Sequence, residues 1–535
     1  MKLKYLTKLG IIASILASAG LFTSAHSKTF VYCSEGSPST FNPQIATDGT
    51  TFNASSKTIY NRLVKFKYGT TEVLPSLAKS WTVSKDGKEY VFKLRKGVKF
   101  HTTKYFKPTK DFSAADVLFS FNRQRLSTHK FNKVSGGSYE YFNSMDMGSA
   151  IKDIIQIDSY TVKFVLNQPN APFLANLGMD FASIHSSEYG ENLVKSNKKE
   201  DIDRMPIGTG PFVFKKYVKD TIIRFTAHPA YFEGKAKIDK LVFSITADAS
   251  VRYQKLKTGE CHLIAHPSPI DLDSMKKNKK ITVIGQPGLN IAYLAMNVMK
   301  PPFNDTHVRK AISLALNKKS YIEAIYFGQG MVAKNPIPPT MWSYNKRIND
   351  YDYNIEMAKK ELAKSKKWAK GFTTELWTLP VSRPYNPNGK RMGELMQADL
   401  KKIGIIIKLI SYDWPTYLEK SKNGEHQLLQ LGWTGDNGDP DNFLHVLLGC
   451  SAVKAGANRA RWCDKGFDSL IEKAKRTTNL KQRIAYYEKA QKIFKAKAPW
   501  VTIAHSITHK AFRSNVTGYK IDPLGSDYFY HVDIK

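Results

Sequence analysis

The 535-residue chain is 42% hydrophobic and 12% aromatic, which excludes a disordered polymer and supplies more apolar material than one core holds, so two or three lobes are expected. Its 81 Lys and Arg against 46 Asp and Glu leave a formal net charge of +35, a balance that raises nucleic acid as a partner. The basic residues are mostly lysines scattered along the chain, with brief clusters such as Lys276–Lys280. No nucleic-acid partner is therefore expected, and the charge reads as a solvated surface with weak attraction for anionic membranes.

The first residues have a basic start (Lys2, Lys4, Lys8), an apolar run from Ile11 to Phe22, and Ala25 and Ser27 as a small-x-small cleavage site before Lys28. That is the layout of a secretory signal peptide over residues 1–27, with an apolar run too short to span a membrane. Cys33 follows Phe-Val-Tyr rather than the small residues of a lipoprotein anchor, so an exported, unanchored protein is expected. Its four cysteines, Cys33, Cys261, Cys450 and Cys463, allow three pairings. The short spacing of Cys450 and Cys463 favours a local bridge, which leaves Cys33 with Cys261. No zinc spacing occurs among them, and the 13 histidines are dispersed, so neither metal nor cofactor is expected.

The exported part opens on a strand, TFVYCS, then a loop through GSPSTFNPQIATDGTTF, with a helical spacing at Ile59, Leu63 and Val64. LAKSWTVSKDGKEYVFKLRKGVKF gives two alternating strands about Asp86-Gly87, a hairpin signature. DFSAADVLFSFNR starts a helix, with Ser113 and Asp116 at the capping-box positions. Strands follow at YTVKFVL, FVFKKY, TIIRFTA and LVFSIT. GTG before FVFKKY lacks the Lys-Ser/Thr of a phosphate loop and precedes a strand, not a helix.

From about Leu289 the rhythm changes to alternating strands and helices. NIAYLAMNV is a strand; DTHVRKAISLALNKKSYIEAIY reads as one amphipathic helix with Val308, Ile312, Leu314, Ala315 and Leu316 near one face. TTELWTL, IIIKLI and HQLLQLGW are strands, while GKRMGELMQADLKKIG and LKQRIAYYEKAQKIFKAKA are helices. This half reads as α/β with largely parallel pairing.

One stretch stands out against the basic background: LGWTGDNGDPDNF, Leu431 to Phe443, crowds three aspartates and two asparagines into seven positions. Counted from Asp436 as a calcium loop, position three is Gly438, five is Pro440 and twelve is Leu447, so calcium is excluded. Asp, Asn, Gly and Pro are also common turn formers, but this turn follows the strand HQLLQLGW, as RPYNPN follows TTELWTL. In α/β sheets, ligands bind beyond the carboxyl ends of parallel strands. Two such loops facing one crevice would offer Asp436 and Arg383, opposite charges suited to a zwitterion.

VYCSEGSPSTFNPQ, TTEVLPSLAKSW, VSGGSYEYF, PIGTGPF, LVFSITADASVRY, IPPTMW, RPYNPN, GEHQ and GWTGDNGDPDNF occur in this order. Together they resemble the periplasmic dipeptide-binding proteins, the peptide branch of the family 5 solute-binding proteins that feed ABC importers, from the exported N-terminus to DPLGSDYF. The resemblance implies a three-lobed α/β periplasmic-binding-protein fold. One lobe is assembled from 28–57, 206–287 and 506–535; 58–205 is inserted; 288–505 opposes them across a hinge. It also implies a monomer that is no enzyme, with dipeptides as ligands and an inner-membrane ABC dipeptide permease as partner. By the same resemblance, Asp436 receives the peptide α-ammonium and Arg383 the α-carboxylate. Pro384, Tyr385, Trp433, Thr434 and Gly435 line or bond the ligand, and Thr47 touches it from the opposing lobe. The family's two disulfides match Cys33–Cys261 and Cys450–Cys463. Asp439 and Asp441 are assigned to the loop itself.

Relatives of the fold take oligopeptides, glutathione, haem or nickel, which remain alternatives. An exported peptidase is a different class; it needs an activated nucleophile or metal-bound water, and neither G-x-S-x-G nor H-E-x-x-H is present. A polybasic adhesin, a third class, would bind in a salt-sensitive way that ignores Arg383.

Overall fold

The computed structural model describes residues 27–535; the signal-peptide reading falls almost wholly on residues 1–26, outside the described residues. Among the described residues no helix is long and apolar enough to cross a membrane.

A mixed sheet of twelve strands forms the backbone of the molecule. At one end Ile405–Ile410, Phe372–Trp377 and Leu428–Thr434 lie side by side in parallel, then Asn290–Met296 and Trp500–Arg513 continue antiparallel. The other end holds Thr29–Ser34, Lys240–Ile245, Ile222–Ala227 and Phe212–Val218. Only the three-strand corner of the second half is parallel, which corrects the expectation of largely parallel pairing. Asn290–Met296 is buried at all seven positions, and a strand covered on both faces shows the same unbroken apolar run whichever way its neighbours point.

Trp500–Arg513 is the member common to both ends. Its first residues pair with Asn290–Met296 and its last with Ile281–Pro287 and Leu263–Ile264. Where the partner changes, two crossing segments are locked together. Ser506 N–H donates to Asn290 Oδ1 at 2.9 Å, Asn290 Nδ2 to Ser506 Oγ at 3.0 Å, and Gly288 N–H to Ser506 O at 3.0 Å.

A separate four-stranded antiparallel sheet holds Ala78–Val83, Glu89–Leu94, Thr161–Leu166 and Ile151–Asp158. The expected hairpin is there, with Gly87 at φ 69° in its turn, a conformation costly for other residues. Helix Ala114–Arg125 packs on this sheet, and Asp116 closes its N-terminus by accepting the Ser113 N–H at 2.8 Å.

Two other expectations fail for local reasons. Ile59, Leu63 and Val64 are fully buried but not helical; the carbonyls of Thr58 and Ile59 instead accept from Phe212 and Gly210 at 3.0 and 2.7 Å. A Cβ on Gly208 would lie 2.1 Å from Ile59 O, so the GTG turn is a point of close backbone approach. The helix in the preceding loop is Gly49–Ala54, started by Asp48 Oδ1 accepting from Thr51 N–H at 2.9 Å. The long helix expected from Asp305 is two, Thr306–Ala315 and Lys318–Tyr326. Asn317 breaks it by capping the second, its side chain accepting from Ser320 N–H at 3.3 Å.

The disulfides are Cys33–Cys261, Cα atoms 5.9 Å apart, and Cys450–Cys463, 4.6 Å apart.

Candidate ligand-binding site

The carboxyl ends of Phe372–Trp377 and Leu428–Thr434 open on one cavity of about 130 Å³. Thr47, Arg383, Pro384, Tyr385, Trp433, Thr434 and Asp436 all line it. Gly435 is not in the lining: its N–H is spent on Leu289 O at 2.7 Å, and a Cβ there would reach Leu289 and Phe443 at 2.7 and 2.8 Å.

At one side stands Asp436. Its backbone N–H donates to Asn442 Oδ1 at 2.8 Å, and the same oxygen receives the Trp433 indole N–H at 3.1 Å. Asn442 thus fixes the loop and the ring beside it. The Tyr141 hydroxyl donates to Asp436 Oδ1 at 3.3 Å; Thr47 O lies 3.5 Å from the same hydroxyl. Asp436 Oδ2 is buried with no partner. Burial, then the neighbouring Asp180 charge, push the Asp436 carboxyl up to about 8. Lys57 does little to relieve it, because its ammonium is 2.7 Å from Asp180. A half-buried carboxyl with a raised pKa and one unpaired oxygen is suited to accept a cation.

At another side is Arg383. Its loop is pinned by reciprocal backbone bonds with Asn386, both 3.0 Å, and its guanidinium lies 4.5 Å over the Trp414 ring, a cation–π contact. Its Nη1 is 3.5 Å from Glu35 Oε1. Burial opposes ionisation of Glu35, but the contact with His266 Nε2 at 3.3 Å and then Arg383 outweigh it and hold this carboxyl well below the usual range, while burial lowers the His266 imidazole below its ordinary value. Arg383 is therefore a buried guanidinium with one long contact and most of its donor fork unspent.

The Tyr385 ring lies against Gly432, in the strand leading to Asp436. A Cβ on Gly432 would be 2.2 Å from Tyr385 Cδ2 and 2.4 Å from Ile291 O. Gly432→Ala is expected to lower stability by about 1–3 kcal/mol through overpacking, read as a lower urea midpoint at unchanged slope.

Of the other loop aspartates, Asp439 takes a two-pronged contact from Arg483, Nη1 to Oδ2 at 2.9 Å and Nη2 to Oδ1 at 2.8 Å. Asp441 is buried at the start of helix Asp441–Leu448. Neither lines the cavity.

Sequence reasoning did not nominate Glu35, Tyr141, Trp414 or Arg459, which also line it. Glu35 had a usable signal: it directly follows strand Thr29–Ser34, the position that singled out Asp436. Tyr141 lies in VSGGSYEYF, one of the runs that carry the resemblance, but nothing in that run marked it as a cavity residue; Arg459, a single residue of common type, had no signal.

Asp146, His445 and Glu472 could offer a metal three ligand atoms. Lys475 Nζ already stands 3.3 Å from Asp146 and 3.6 Å from Glu472. His445, pushed up to about 9 by Asp441, Asp146 and Glu472 against burial and Lys475, adds a second cation. The group is an ion-pair network away from the cavity, not a metal centre.

The raised pKa has a measurable consequence. A bound ammonium would stabilise ionised Asp436, so binding near pH 7 expels a proton. Affinity for a free-amine dipeptide should rise with pH up to about 8 and fall above it as the ligand's own amine, of pKa roughly 7.7–8, loses its charge. Calorimetry in buffers of different ionisation enthalpy should read proton release at pH 7 in wild type and none in Asp436→Asn.

Residues 72–455 match the family described as bacterial extracellular solute-binding proteins, family 5. The chain is 50% identical over 535 residues to a protein of Escherichia coli (strain K12) named dipeptide-binding protein, covering 100% of this chain and 99% of that one. It is 45% identical over 546 residues to a Haemophilus influenzae protein named heme-binding protein A, covering 100% of each. The crystal structure of a dipeptide-binding protein from Pseudoalteromonas sp. SM9913 with Met-Leu superposes with a TM-score of 0.92 at 38% identity, covering 95% of this chain and 100% of that one. With its fold, its paired strand-end loops and these matches along its length, the chain belongs to the bacterial extracellular solute-binding proteins, family 5.

Proposed function

We propose that this chain captures dipeptides in the periplasm as a monomer and hands them to an inner-membrane ABC permease. The peptide α-ammonium sits on Asp436 and the α-carboxylate on Arg383, with Tyr385, Pro384, Trp433, Thr434 and Thr47 around the main chain. The lobes, divided as 28–57 with 206–287 and 506–535, then 58–205, then 288–505, close over the ligand. The observation that carries this reading is the Asp436 carboxyl, with its Oδ2 unpaired and its pKa raised, in the same cavity as Arg383. A guanidinium meets a carboxylate with a planar fork, and an aspartate meets an ammonium with acceptors alone.

The deciding experiment is calorimetry with Ala-Ala and Gly-Leu against free amino acids and pentapeptides. Dipeptides should bind far more tightly than free amino acids; tight pentapeptide binding with no dipeptide preference would move the protein to the oligopeptide branch. A haem reading draws on the 45% identical Haemophilus relative, and a haem titration followed by absorbance tests it. The protein acts by binding and not by hydrolysis, so incubation with a dipeptide should release no free amine over time.

A further inference from the structure

The cavity contains a second guanidinium that the two main-chain charges of a dipeptide do not use. Arg459 lines it and is 4% exposed. Its Nη2 is 3.2 Å from Glu140 Oε1, while Nε and Nη1 are buried without any partner. Glu140 is shared with Lys422, whose Nζ is 3.9 Å from Oε2, so one carboxylate faces two cations and a positive charge is left over. Tyr293, 2% exposed, also lines the cavity, and its hydroxyl is buried without a partner. Tyr385, Arg383 and Arg459 line the same cavity.

Arg459 is held in place. It sits in the loop closed by Cys450–Cys463, where Asn458 Nδ2 donates to Gly449 O at 3.2 Å and Trp462 O at 2.8 Å. Its own carbonyl is 2.7 Å from His426 Nε2. A buried guanidinium with two idle N–H groups on a stapled loop is costly unless an anion completes it.

We infer that Arg459 and Tyr293 form a receptor for a further ligand carboxylate, that of an acidic side chain or of a peptide one residue longer. This rests on peptide capture as proposed above and adds a preference to it: acidic dipeptides over their neutral isosteres.

Calorimetry tests this by the affinity ratio of Ala-Glu to Ala-Gln, which differ by a carboxylate against an amide of the same shape. Wild type should show a ratio of about ten or more, as expected for a buried hydrogen bond between charged groups. Arg459→Met should bring the ratio to about one, and Arg459→Lys should restore part of it. A parallel arm compares Ala-Ala-Ala with its C-terminal amide. If only this second ratio collapses in Arg459→Met, the receptor serves the longer peptide's terminus. If neither ratio exceeds about two in wild type while Ala-Gln binds, the receptor is overturned and peptide capture stands. If no peptide binds wild type, both readings fall together. The wild-type ratios decide the matter even where a variant fails to fold.

Discussion

Asp436→Asn is expected to weaken free-amine dipeptides by roughly 30-fold to several thousand-fold, the equivalent of about 2–5 kcal/mol for leaving one partner of a desolvated charge pair alone. The amide keeps the shape and can still accept the Tyr141 hydroxyl that now reaches Asp436 Oδ1 at 3.3 Å, so the lost quantity is the charge. An N-acetylated dipeptide brings no ammonium and should lose less than about threefold. Lys279→Ala, an exposed control, should change nothing measurable. The empty protein should respond in the opposite sense. Burial raises the Asp436 pKa to about 8, so between the ordinary carboxylate range and pH 8 the folded state binds more protons than the unfolded one, and this residue's contribution falls as pH rises. Asp436→Asn removes that penalty, and its ligand-free thermal midpoint should lie above that of wild type at pH 8.5. Wild-type-like affinity for ordinary dipeptides, within about twofold, would place the ammonium elsewhere and leave the aspartate cluster as a turn.

Arg383→Ala should erase most of the preference for dipeptides over their C-terminal amides, a loss again of roughly 2–5 kcal/mol. Arg383→Lys should recover only part, because a point charge does not reproduce the fork that stacks on Trp414. This position carries a complication absent at Asp436. Glu35, held ionised by His266 and Arg383, is left with a poorer partner when Arg383 is removed. The single variant therefore mixes a lost ligand contact with a stranded internal carboxylate. Glu35→Gln combined with Arg383→Ala separates the two: stability should recover relative to Arg383→Ala while the ligand preference stays lost. Recovery of both would mean that Arg383 serves Glu35 and not the ligand.

The two charged groups of this site were legible in the sequence for one reason. Asp436 and Arg383 follow apolar strands, and the sheet brings the ends of Phe372–Trp377 and Leu428–Thr434 together because those strands are parallel neighbours. Strand-end position is a local property, so it survives in one dimension. Tyr141 and Arg459 come from segments 295 and 23 residues away in sequence from Asp436, and only tertiary packing turns a common tyrosine and one of 81 basic residues into cavity groups. Elsewhere in the fold, the hairpin about Gly87 was legible because its turn chemistry is specific. The helix break at Asn317 was not, because the apolar period runs through it while a side-chain cap decides the outcome. The irregular stretch around Ile59 shows the converse: an apolar spacing suited to a helix is satisfied by burial alone when neighbouring strands claim its carbonyls.

The locked crossing at Asn290 and Ser506 also reaches the loop that carries Arg383. Ser506 Oγ donates to the carbonyl of Pro384, the residue next to Arg383, while Ser506 N–H and O hold Asn290 and Gly288. If lobes closing over a ligand flex the sheet at this point, the loop that bears the guanidinium moves with the strand, because Pro384 is bonded to it. Under the proposed function, prising the ends of the sheet apart would then turn Arg383 off the peptide with no separate trigger at the ligand.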